Sequence, residues 1–188
     1  MANRCVNLGA CLLALTVLVG CAIKPISEKQ DRFCRSIMKP RRDVCVIGPI
    51  PTAAAAAQAV GLLGEPKVLT VYVLRNNVAD PTELVRLEVD GKFLTDTLPR
   101  TLVRLRLEPG AHVMSVGWRS SMAPHEVQGV AGEVRYLQLT GWAFLRNREF
   151  NLKEIDRARA MDLVRDTAFV ADLVSPKASQ SAEISSGP

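Results

Sequence analysis

The chain has 188 residues, a formal net charge of +5, 48% hydrophobic and 5% aromatic residues, and only two histidines. That length suits one domain with a sizeable core and leaves little room for a second. The mild positive balance comes with no motif of RNA or DNA recognition. His112 and His125 do not supply the ligand number of a usual metal site, no Gly-rich loop is present to cradle a phosphate, and no cofactor is expected.

Taken in chain order, residues 1–20 have the make-up of a signal peptide. Arg4 supplies the charge, Leu12-Leu13-Ala14-Leu15-Thr16-Val17-Leu18-Val19 the apolar run, and Gly20 the small residue at a cut. The run is shorter than the roughly 20 residues that a bilayer span needs. Leu18-Val19-Gly20-Cys21 resembles a bacterial lipobox. The resemblance implies that the Cys21 thiol takes diacylglycerol through a thioether and that the new amino end takes a further acyl chain; two or more chains are needed for a stable anchor. Ala22, where such lipoproteins can carry Asp, implies the outer membrane, with the domain facing the periplasm. An ordinary secretory signal, or an uncleaved anchor with a chance cysteine, is the alternative. Beyond the signal the charge is +4, because Arg4 is its only charged residue.

The chain has five cysteines. Cys5 and Cys11 leave with the signal and Cys21 is consumed by lipid. Cys34 and Cys45 remain, an even pair in a compartment that permits disulfides. The count predicts a bond between them, worth about 2–3 kcal/mol on the chain-entropy account. Two unpaired thiols or an intermolecular bridge are the alternatives.

Residues 22–50 are polar and irregular, with Pro25, Pro40 and Pro49, and read as a tether holding a small disulfide knot. Thr52 precedes an alanine-rich run that Gly64 can end, which predicts a capped helix. The run is apolar nearly all round, so such a helix would pack on something; a low-complexity linker is the other reading. From residue 67 to 155 the period changes to two. Leu69, Val71 and Val73 alternate with Thr70, Tyr72 and Leu74, as in a strand covered on both faces. Val85, Leu87 and Val89 alternate with Arg86, Glu88 and Asp90. Asp90-Gly91 is a hairpin turn with Phe93 and Leu94 beginning the return. Val103, Leu105 and Leu107 alternate with Arg104, Arg106 and Glu108, and Pro109-Gly110 suits a type II turn. Met114, Val116 and Trp118 share a face. After Ala131-Gly132 come a strand over residues 134–139 and a last strand from Trp142 through Leu152. This pattern predicts an antiparallel sandwich. Residues 156–165 read as a helix capped by Asp156, with Ala158, Met161, Leu163 and Val164 as its apolar stripe. Residues 167–173 continue that helix or form a final strand, and residues 175–188 read as a disordered tail.

Val89-Asp90-Gly91-Lys92, the run Val103 to Val113 containing Glu108-Pro109-Gly110-Ala111-His112, and Ala131-Gly132-Glu133-Val134-Arg135-Tyr136 form a pattern. It is similar to that of uncharacterised bacterial lipoprotein domains with a PEGA-like β-sandwich. The resemblance covers about residues 67–150 and implies an Ig-like or transthyretin-like antiparallel sandwich with no catalytic residues and no cofactor. The organisation expected is a signal helix over 1–20, a tether with disulfide loop and Ala-rich helix over 21–66, a mainly β domain with a C-terminal helix over 67–174, and a tail over 175–188.

Candidate chemistry is sparse. Ser120 or Ser121 with His125 and Glu126 offers the residue types of a nucleophile, base and orienter, but these are neighbours in an expected hairpin loop, whereas such residues normally converge from separate segments. His112 reads as a strand-end residue with ordinary hydrogen bonds. Arg104 and Arg106 point one way from their strand, as do Arg146 and Arg148 from theirs. On one sheet they would make a basic face for an anionic partner; otherwise they are solvated surface, with Arg104 or Arg106 paired to Glu88. The reading that results is a non-enzymatic, lipid-anchored envelope lipoprotein that binds a partner or supports an assembly. The alternatives are an adaptor for an anionic envelope polymer and a hydrolase built on His125.

Overall fold

A computed structural model of the chain describes residues 32–37, 42–47, 51–76, 84–118, 121–144 and 147–174. Cys21, the signal, Ser120, Arg146 and the tail lie outside these residues.

The segment read as an irregular tether contains a hairpin. Strands β1 (Arg32–Ile37) and β2 (Arg42–Ile47) pair antiparallel, with Cys34 directly opposite Cys45. Their sulfurs stand 2.02 Å apart, the distance of a disulfide. Phe33 packs on the main core and Val46 is buried, so the hairpin is joined to the domain.

The alanine-rich run folds as helix α1 (Ala53–Val60). The Thr52 hydroxyl accepts the Ala55 amide at 3.2 Å, as expected of its cap. The helix stops at Gly61 rather than Gly64. Gly64 instead permits a close approach, passing so near the Val134 side chain that a Cβ would collide with it. Ala59 and Leu62 are fully buried, so the segment docks.

Two sheets follow. One has the order β10-β9-β3-β6-β11, made of β3 (Leu69–Arg75), β6 (Thr101–Leu107), β9 (Val134–Phe144), β10 (Asn147–Glu154) and β11 (Ala168–Val174). The other has the order β5-β4-β7-β8, made of β4 (Val85–Val89), β5 (Lys92–Thr97), β7 (Gly110–Trp118) and β8 (Ser121–Gly129). Val71, Val73, Val103, Leu105, Leu137 and Phe150 from the first meet Leu87, Met114 and Val116 from the second in the main core. This is a β-sandwich in a mainly β chain.

A helix layer covers the outer face of the five-stranded sheet. Helix α2 (Arg157–Val164) starts at Asp156, whose carboxylate accepts the Arg159 amide. Ala160, Leu163 and Val164 pack with Ala59 and Leu62 over Tyr72, Leu74 and Leu102. The helix turns Ala160 inward and leaves Ala158 exposed, which shifts the stripe from the one expected. This layer is why β3 is buried along its whole length. Tyr72 donates to the Leu63 carbonyl at 2.7 Å and Tyr136 to that of Leu62 at 3.3 Å, tying the end of α1 to the sheet.

Several strand expectations change. The five-stranded sheet is mixed, because β3 pairs parallel with β9, and β6 parallel with β11. Parallel neighbours need a crossover, and α2 provides the one that brings β11 beside β6. Of the two alternatives for residues 167–173 the strand is the one formed, over Ala168–Val174. The expected last strand over 142–152 is the two arms of a hairpin, with Phe144 opposite Asn147. Glu108-Pro109-Gly110 does not close a hairpin; it carries the chain from one sheet to the other, with Gly110 at φ +144°. Residues 121–126, expected in a hairpin loop, belong to strand β8, which pairs with β7 along its full length. Pro124 fits there because β8 is an edge strand.

Candidate functional site

Among the described residues, Arg104 and Arg106 do not share a face of the sheet with Arg148. Arg104 shares its side of β6 with Leu102, under the helix layer, and is only 3% exposed. Asp172 stands directly opposite it on β11. Arg104 Nε donates to Asp172 Oδ1 at 2.9 Å and Nη2 to Oδ2 at 2.6 Å. Arg106 reaches the same carboxylate at 3.1 Å and Glu65 at 3.6 Å. The Asp172 hydrogen bonds hold the Arg104 guanidinium in its charged form against burial. Burial pushes the nearby Tyr72 phenol up, opposed by Arg104. Two cations thus meet two carboxylates, in an arrangement that joins β11, β6 and the segment before β3. Glu88 lies on the other sheet and pairs with Arg86 at 3.4 Å, not with Arg104 or Arg106.

Arg148 lies on the opposite face of the same sheet, on the side of β10 that carries Phe150 and Leu152 into the main core. Its guanidinium stacks over the Trp118 ring at 4.0 Å, spanning from β10 to β7. Trp142, 40% exposed, donates its indole N–H to Glu149 at 3.3 Å. Arg75, which sequence reasoning passed over, is buried at the end of β3 and donates to the Thr97 carbonyl.

Ser121 and His125 sit on one extended strand, four positions apart. At about 3.3 Å per residue they are about 13 Å from each other, beyond hydrogen-bond reach. Among the described residues, no group of three or more His, Cys, Asp or Glu is placed to hold a metal ion.

The most developed polar arrangement centres on His112, which is 6% exposed. The Asp90-Gly91 turn sets Asp90 at φ +50° and Gly91 at φ +73°. Asp90 is joined to the neighbouring strand three times. Its amide donates to the Val113 carbonyl at 2.8 Å, its Oδ1 accepts the Val113 amide at 3.0 Å, and its Oδ2 lies 2.8 Å from His112 Nδ1. His112 Nε2 lies 2.8 Å from the carbonyl oxygen of Glu108. Both ring nitrogens are therefore engaged, and neither faces a substrate as a general base would. An open groove of about 410 Å³ adjoins this pair, lined by Asp90, Ala111, His112, Val113, Glu126 and Gln128, with Val127 behind. That volume is in the range of ligand-binding grooves. The periodicity of β4 and β7 placed Asp90 and His112 at strand ends; the contact between them was visible only as two members of one recurrent pattern.

No protein-family model matches the chain, and no curated protein matches it. Any reading of function therefore rests on the chain's own residues. Those are the cysteines at its start, the buried ion pairs, and the groove beside Asp90 and His112.

Proposed function

We propose that the chain is a lipid-anchored protein of the bacterial cell envelope whose β-sandwich works as a non-enzymatic binding or assembly module. The observation that carries the reading is the pairing of Cys34 with Cys45 at disulfide distance. A disulfide suits an oxidising compartment outside the cytosol. It also leaves Cys21, at the end of the apolar run, as the one cysteine beyond Gly20 without a thiol partner assigned to it. The lipobox resemblance of Leu18-Val19-Gly20-Cys21 gives that cysteine its role, and Ala22 favours the outer membrane. Among the described residues no helix is long and apolar enough to cross a membrane. Attachment in this reading falls to lipid on Cys21. Asp90 and His112, which come from separate parts of the PEGA-like pattern, meet at 2.8 Å.

The basic-face reading loses ground. Arg104 and Arg106 are neutralised by Asp172 and Glu65, and Arg148 lies on the other face of the sheet, over Trp118.

Mass spectrometry of the protein extracted from a bacterial membrane fraction tests the anchor. The expected N-terminal peptide begins at Cys21 and carries diacylglyceryl and acyl groups, and Cys21→Ser moves the protein to the soluble fraction. An unmodified Cys21, with the same distribution for both proteins, would sink the proposal.

A further inference from the structure

We infer that Asp90 and His112 form a proton-operated clamp on the connection between β6 and β7. Both neighbours of the imidazole, the Asp90 carboxylate and the Glu108 carbonyl, are hydrogen-bond acceptors, each 2.8 Å from a ring nitrogen. A neutral imidazole has one N–H to donate. The two contacts coexist when the Asp90–His112 pair holds one proton more than an ionised carboxylate beside a neutral ring. With that proton, Nδ1–H donates to Asp90 and Nε2–H donates to Glu108.

Removing the proton forces a choice between the two contacts. The bond to the carboxylate is charge-assisted and is the stronger, so Nδ1–H stays with Asp90. The proton departs to solvent from Nε2, whose lone pair then faces the lone pairs of the Glu108 carbonyl. That contact opens. Asp90 itself stays in place, fastened to Val113 through its amide and Oδ1.

The surroundings suit a proton-holding pair. From β8, Glu126 lines the same groove opposite Val113, and among the described residues that line it there is no lysine or arginine. Across the end of the sandwich, Glu133 lies near Gly129 but is committed to Arg135 and the Val130 amide. Opening the clamp leaves Asp90 and His112 on the wall of the groove and frees the β6–β7 connection from the ring, so the connection has two states, set by one proton.

The test is nuclear magnetic resonance of the full chain carrying His125→Gln, which leaves His112 as its one imidazole. The pH is raised from about 4 to about 9, across the ordinary imidazole range. At the acid end both ring N–H signals of His112 are expected. On raising the pH, the Nε2–H signal disappears and the Nδ1–H signal persists. The Glu108 carbonyl carbon and the Gly110 amide shift with the same midpoint. A single ring proton throughout, loss of Nδ1–H instead, or a His112 titration that leaves Glu108 and Gly110 unmoved would each overturn the clamp.

Discussion

Arg104 and Asp172 face each other across neighbouring parallel strands, 68 positions apart in sequence, and meet through two hydrogen bonds. The arginine is buried beneath the helix layer, so the pair is a cross-link inside the fold.

Removing one member strands a charge in the interior, whereas replacing both removes the need for a partner. Asp172→Ala is expected to cost about 3–5 kcal/mol, and the Arg104→Met, Asp172→Leu double variant to recover most of that loss. Urea unfolding of the three proteins measures it. Equal losses in the single and double variants would mean that the buried charge is not what matters.

The hairpin of β1 and β2 has two strands, and an isolated pair of that kind is marginal in water. Its disulfide ties the two strands to each other, and Phe33 and Val46 join the hairpin to the domain. Reduction, or Cys34→Ser with Cys45→Ser, is expected to lower stability by about 2–3 kcal/mol. Hydrogen exchange should rise first in β1 and β2. Uniform acceleration across both sheets would show the hairpin to be part of the main cooperative unit.

Burial raises the Asp96 carboxyl above its ordinary value, and Arg86 only partly opposes the shift. A carboxyl raised in the folded state binds its proton more tightly folded than unfolded. Its contribution is therefore fully present in acid, below the ordinary value of 3.8, and is lost as pH rises through the raised value. Asp96→Asn is expected to stabilise the protein near neutral pH by about 1 kcal/mol or less, since the group is partly exposed. The gain should vanish in acid. Denaturant midpoints at several pH values decide it, and a gain that is constant with pH would point away from ionisation.

Gly117 and Gly91 are required for different reasons. A Cβ on Gly117 would run into the Ser121 carbonyl oxygen and the Met122 backbone, so Gly117→Ala must push β8 away from β7. A loss of about 1–3 kcal/mol is expected, as for other overpacking. Gly91 has open space around it and needs only its positive φ, so Gly91→Ala should cost about 1 kcal/mol. Thermal unfolding of both variants gives the order, and the reverse order would contradict the close approach of β7 and β8.

The strands with a clean period of two, β3, β4 and β6, were legible, as were the caps Thr52 and Asp156 and the Asp90-Gly91 turn. Strand β8 was not. Ser121-Met122-Ala123-Pro124-His125-Glu126 shows no apolar alternation, because an edge strand needs little of it. Arg104 was misplaced for a related reason: alternation tells which side of β6 it occupies, but not that helices cover that side. Asp172 did carry a signal. It is the one charged residue in Ala168-Phe169-Val170-Ala171-Asp172-Leu173-Val174, and a carboxylate in such a run calls for a cation. The groove beside His112 had no local signal, since Asp90 and Glu126 reach it from different strands.

Strand β11 is the last element described, and it supplies both the edge of β6 and the counter-charge of Arg104. A nascent chain still lacking β11 has an open edge at β6, and Arg104, under apolar helices, then has Glu65 at 4.0 Å in place of the two hydrogen bonds to Asp172. The order of synthesis leaves both unmet until β11 has been made.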